Sequence, residues 1–169
     1  MEGCSRFDRL FEPHDRGLLE SEGSGRGPGY FDRLREIDRP IYMQRHWPDI
    51  PASVPYPLDA VRETVFANFH RARWDDQTDW YNSSPAYMIA LAIHEGAETI
   101  GIWGVDVLDD SEFNLESNCL DYLIGKAEGM GIEVVTPPGP TALGKFRAEG
   151  IKLGRLEPVY HNRYGQIWR

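Results

Sequence analysis

Residues 82–137 read NSSPAYMIALAIHEGAETIGIWGVDVLDDSEFNLESNCLDYLIGKAEGMGIEVVTP. Met88, Leu91, Ala92 and Glu95 share one side of a helix over 84–95, and Ile89 and Ile93 widen its apolar face. Ser84 is expected as its N-cap, Pro85 as its first helical residue and Gly96 as its terminator. Residues 99–103, TIGIW, form a short apolar run bounded by glycine, the pattern of a strand covered on both faces. A second helix over 118–130 turns Leu120, Leu123, Ile124 and Ala127 inward, and residues 132–135 make a second buried strand. Strand, helix and strand in that order predict a right-handed crossover and a parallel pair.

Outward from this unit the signals are shorter. Residues 6–12, RFDRLFE, alternate as a short strand does, and 20–30 hold four glycines and a proline, so a loop is expected. Phe31, Leu34 and Ile37 predict one or two helical turns ended by Pro40, and Ile41, Tyr42 and Met43 predict a short buried strand. Four prolines between Trp47 and Pro57 exclude regular helix or a central strand. A helix follows over 58–69, with Leu58, Val61, Val65 and Phe69 on one face, and then a polar loop over 71–79.

Ligands of open parallel sheets bind beyond the carboxyl ends of strands, near helix starts. That rule singles out Ser83, Ser84, Gly104 and Asp106. Asn82, Ser83 and Ser84 precede a helix whose first N–H groups and dipole attract a phosphate or carboxylate. Capping accounts for Ser84 without needing the other two. Gly104 lets the chain bend and a ligand approach. Asp106 has two readings: it accepts from a sugar hydroxyl or holds a cation, or it caps the next turn. Asp109, Asp110 and Glu112 form an acidic rim that would repel phosphate unless a divalent ion intervened, or else a solvated loop.

Of the five histidines none has metal-ligand spacing, so no metal site is expected. His14 is the best placed for general acid–base work, because Glu12, His14 and Asp15 follow a predicted strand. A surface histidine is the alternative. GSGRGPG over 23–29 lacks the preceding strand and following long helix of a phosphate loop, so a surface loop is expected.

The formal net charge of −9 opposes nonspecific nucleic-acid binding, and no nucleic-acid partner is expected. Lys145, Arg147, Lys152 and Arg155 are the one basic cluster, read as a solvated face. Two distant cysteines, Cys4 and Cys119, fit no disulfide framework and suit a reducing compartment. The polar first residues show no secretory signal, and the longest apolar stretch falls far short of the roughly 20 residues a membrane span needs. A cytoplasmic protein with no membrane partner is expected.

The succession SPAYMIALAIHEGAETIGIWGVD resembles a motif of the Rossmann-like group that includes bacterial sialyltransferases and 6-hydroxymethylpterin diphosphokinase-like proteins. More closely, FDRLFEPHD, PIYMQ, SSPAYMIALAI, GIWGVD and LDYLIGKAEGMGIEVV are similar to a Rossmann-like family encoded by tailed bacteriophages, over about residues 6–138. The expected fold is therefore α/β, a three-layer Rossmann-like sandwich with a mostly parallel sheet of about four or five strands, in one domain over 1–169. Family members begin with a further strand and glycine-rich turn, which this chain is expected to lack.

The resemblance implies a nucleotide- or nucleotide-sugar-binding, transferase-like protein, glycosyltransferase-like or diphosphokinase-like, in the host cytoplasm. Ser83, Ser84, Asn82 and Gly104 would hold the ligand, Asp106 a sugar hydroxyl or Mg2+, and His14 a proton. The alternative is a noncatalytic protein that keeps the fold and binds a host or phage protein. Its acidic surface suits a basic partner.

Overall fold

A computed structural model of the chain describes residues 6–21, 26–66, 83–105 and 113–136. The chain divides into two compact units, Met1–Asp79 and Trp80–Arg169. Each is α/β, and the strands of each pair in parallel.

In the first unit, β1 (Leu10–Phe11), β2 (Ile41–Met43) and β3 (Ser53–Pro55) lie in the order β1-β2-β3. Leu10 pairs with Ile41, Ile41 with Ser53 and Met43 with Pro55. The two-residue period of a strand sends Ile41 and Met43 to one face and Tyr42 to the other. Ile41 and Met43 are fully buried with Ile50 and with Leu34 of α2 (Tyr30–Glu36). On the opposite face Phe11 stacks on Tyr42 at 5.0 Å between centroids, and Tyr56 meets Tyr42 edge-on at 6.3 Å. Each such pair adds about 0.5–1.5 kcal/mol beyond its buried area. In α3 (Leu58–Val65), Val61 and Val65 are wholly buried. The expected continuation over 67–69 and the loop over 71–79 lie outside the described residues.

Two elements of this unit were not legible in the sequence. The prolines around β3 argue against a central strand, yet among the described residues β3 pairs on one side only, and Pro55 is its last residue, where no ladder N–H is required. The turn before it is held by buried Ser53, whose Oγ accepts from Trp47 N–H at 2.8 Å and donates to the Ile50 carbonyl at 2.7 Å. A five-residue helix, α1 (Arg16–Glu20), starts at Asp15, whose carboxylate accepts from the Gly17 and Leu18 N–H groups.

An ion network fastens α1 and α2 to that turn. Arg16 donates to both Asp49 carboxylate oxygens at 2.7 and 2.8 Å and to Glu20 at 2.7 Å. Arg35 reaches Asp49 at 3.2 Å, and the Arg16 guanidinium lies over the Phe31 and Trp47 rings. The hydrogen bonds that Arg16 donates hold the Asp49 carboxyl well below the usual carboxylate range, and the same bonds to Asp49 and Glu20 raise Arg16 further above its own.

In the second unit α4 (Ser84–His94) buries Ala86, Ile89, Ala90, Leu91 and Ile93. Its N-cap is Ser83, one residue earlier than expected, so Pro85 takes the second helical position. Gly96 ends it in the left-handed region at φ 73°. Then β4 (Thr99–Gly101), α5 (Phe113–Gly129) and β5 (Glu133–Val135) follow, with Thr99 paired to Glu133 and Gly101 to Val135. Leu120, Leu123, Ile124 and Ala127 are all buried, as their spacing predicts. β4 corrects one expectation. It is covered on one face only, since Ile100 is buried while Thr99 and Gly101 are exposed.

Candidate functional site

Glu12 follows β1 directly, and its N–H still donates to the Tyr42 carbonyl at 2.8 Å. That bond fixes it at the carboxyl end of a parallel strand, the edge where ligands of such sheets gather. Glu12 is 4% exposed, a burial that a carboxylate tolerates only with partners. Three donors supply them. His14 Nδ1 meets Oε1, and the Tyr30 hydroxyl and Arg26 Nη2 donate to Oε2, the arginine at 3.1 Å.

Three segments thus converge on one carboxylate. His14 sits between Pro13 and the Asp15 cap of α1, and Gln44, just past β2, donates to the Pro13 carbonyl at 3.0 Å. Tyr30 begins α2 after Gly29, which takes φ 73° to turn the chain into the helix. Arg26 lies over the Tyr30 ring at 5.3 Å. Burial first, and then the bond to Glu12, push the Tyr30 phenol far above its usual range, so it stays a neutral donor at physiological pH.

The chemistry follows from donor capacity. Where Nδ1–H donates to the Glu12 carboxylate, the neutral imidazole keeps its lone pair on Nε2. His14 is exposed, and among the described residues Glu12 is the one hydrogen-bond partner of its ring. This is the arrangement of a general base held in one tautomer by a carboxylate. Arg26 and Tyr30 also line a cleft of roughly 370 Å³ with Leu19, Gly27, Gly29 and Phe31, whereas Glu12 and His14 are not among its lining residues. That size falls within the about 300–1,000 Å³ usual for small-molecule sites.

The other expected site residues belong to the second unit. Ser83 caps α4 through its backbone, its carbonyl accepting from Ala86 N–H at 3.0 Å. Its hydroxyl makes no capping bond, is buried and has no hydrogen-bond partner among the described residues. Ser84 is half-buried in the first turn. Gly104 is exposed at φ 70°, with open space where a β-carbon would stand, so backbone conformation is what requires glycine there. Asn82, Asp106 and the rim residues Asp109, Asp110 and Glu112 lie outside the described residues. Among the described residues no group of three or more His, Cys, Asp or Glu is placed to hold a metal ion. No described helix is long and apolar enough to cross a membrane.

His14 was legible in the sequence; Glu12 as the hub, Arg26 and Tyr30 were not. A charged residue at the end of a buried strand was the available signal.

No protein-family model matches the chain, and no solved structure matches it. A curated protein described as "Putative lipoprotein YghJ", from Escherichia coli O78:H11 (strain H10407 / ETEC), is 24% identical over 148 residues. The match covers 73% of this chain and 10% of that protein, so the chain spans about a tenth of its relative's length.

Proposed function

We propose that this chain is a nucleotide- or nucleotide-sugar-binding, transferase-like protein whose reacting group is His14. The observation that carries this reading is the Glu12–His14 pair at the carboxyl edge of a parallel sheet, with Arg26 bonded to the same carboxylate. Glu12 holds the imidazole with Nε2 outward. Nε2 takes a proton from an attacking hydroxyl as that oxygen bonds to the transferred group. Arg26 stabilises the negative charge that gathers on the departing phosphate, and Tyr30 keeps Glu12 in place.

In the second unit, the Ser83 hydroxyl and the start of α4 are proposed as ligand contacts, with Gly104 allowing close approach and Asp106 taking a hydroxyl or Mg2+. The same proposal includes the tailed-phage family, a cytoplasmic location and a three-layer Rossmann-like sandwich. The parallel ladders support that fold, as does the β4–α5–β5 crossover.

A second reading is a noncatalytic protein that binds a protein partner. It is favoured by the mutual neutralisation of Arg26 and Glu12, which weakens the pull of the site on phosphate. The two are separated by incubating purified protein with a panel of nucleotides and sugar nucleotides, following thermal stability and release of nucleoside phosphate. A rise in Tm with one of them, and release by the wild type but not by His14→Ala, supports transfer. No rise with any of them sinks the first reading.

A further inference from the structure

The β4–β5 pair has an exposed face that the Glu12 site does not involve. Thr99, Gly101 and Trp103 alternate with buried Ile100 and Ile102, so the three point to one side. Glu133 stands opposite Thr99 in register, and its carboxylate accepts the Thr99 hydroxyl at 3.3 Å. Trp103 folds back along this face. A β-carbon on Gly101 would overlap its Cζ3 and stand 2.8 Å from Cη2 and 3.1 Å from Cε3. Those three atoms are the outer edge of the six-membered ring, so the indole seats by its edge in a slot that only glycine leaves.

An indole that served to cover the sheet would be buried by what it covers. This one is 62% exposed. Large aromatic rings held rigidly at the surface, with polar groups beside them, are characteristic of binding surfaces.

We infer that this face is a carbohydrate-binding site, with Trp103 stacking on a neutral pyranose ring and Glu133 and Thr99 hydrogen-bonding its hydroxyls. The ring C–H groups of a sugar are polarised positively by their oxygens and meet the negative face of the indole. A carboxylate and a hydroxyl are acceptors suited to sugar hydroxyls. A nucleotide would stack as well, but its phosphate needs a cation. Glu133, exposed on this face, repels phosphate. An anionic sugar is disfavoured on the same ground.

The test is a titration of the full chain with maltohexaose, cellohexaose, chitohexaose and, separately, uridine monophosphate. It is read by NMR at the Trp103 indole N–H and the amides of Thr99 and Glu133, and by calorimetry. At least one hexaose is expected to move these signals, with a midpoint in the millimolar range, about 10⁻³ M. Trp103→Ala and Gly101→Ala should each weaken binding at least tenfold with the thermal melt retained, and Glu133→Gln should weaken it less. Gly101→Ala keeps the indole but fills its slot, so it tests the seat apart from the ring. The inference is overturned if no hexaose moves the Trp103 signal, if the nucleotide alone does, or if binding is unchanged in both folded variants.

Discussion

The described residues of the first unit carry many arginines and no lysine, whereas those of the second carry Lys126 as their one Lys or Arg. The first unit holds short elements together with charge: Arg16 and Arg35 on Asp49, and Arg26 on Glu12. Its apolar core, built on Leu34, Ile41, Met43 and Ile50, serves strands of only two or three residues. The second relies on two longer helices packed through Ala90, Leu91, Leu120, Leu123 and similar residues. Charge ties short segments at a fixed edge and leaves the His14 ring facing solvent. A dry helix pair makes a stiffer base with less chemistry of its own.

Truncation in the dry core should have the largest effect. Leu123→Ala removes a fully buried side chain from α5 and should cost about 3 kcal/mol, within the usual 2–5. Urea denaturation should show that loss equally at low and high salt.

Next is Glu12→Ala, which leaves three donors facing a buried gap and should cost about 2 kcal/mol. Glu12→Gln should cost less, because its amide oxygen can still accept, while its NH2 group opposes a donor. A loss in Glu12→Ala no larger than that of an exposed carboxylate would remove the hub from the account.

The clamp at Asp49 should give a smaller effect with a distinct signature. Arg16→Met should lower the urea midpoint in 50 mM salt, and 1 M salt should shrink the difference, since exposed ion pairs are screened. Salt independence would mean that Arg16 acts by packing on Phe31 and Trp47 instead.

Acid should separate the two units with the smallest signal. The Asp49 carboxyl is depressed in the fold, so its stabilisation is complete above the unfolded value of about 4 and is lost as pH falls below it. Partial burial raises Asp121 on α5, so its contribution to stability grows as pH falls through that raised value toward about 4. Hydrogen exchange should therefore show α5 amides slightly better protected near pH 4.5 than at pH 7, with those around Asp49 unchanged. Asp121→Asn should abolish the α5 difference. Because Asp121 still reaches solvent, that difference should be small.

Periodicity made most of the elements legible. The α4 face, the inward side of α5 and the single buried strand around Ile41 follow from the spacing of apolar residues. What sequence pattern missed is governed by partners far along the chain. β3 exists because a proline can end an edge strand. α1 exists because Asp15 caps it and Arg16 reaches Asp49, 33 positions away. The shift of the α4 cap from Ser84 to Ser83 is a one-residue boundary difference that two adjacent serines invite. His14 could be picked out by its place after a strand. Glu12 could not be read as a hub, because Arg26 and Tyr30 both sit in the glycine-rich stretch over 20–30 that looks like plain loop.

In the proposed function, Glu12 fixes His14 as a base with Nε2 open to a ligand. Its most direct test is the nitrogen NMR spectrum of the His14 imidazole, recorded alone and with nucleotides and sugar nucleotides, in wild type and Glu12→Gln. The proposed role requires that the neutral form of the ring be protonated on Nδ1, that its Nε2 signal move on adding at least one nucleotide or sugar nucleotide, and that Glu12→Gln lose the tautomer preference. A ring protonated on Nε2, or an Nε2 signal that none of these compounds moves, would contradict it.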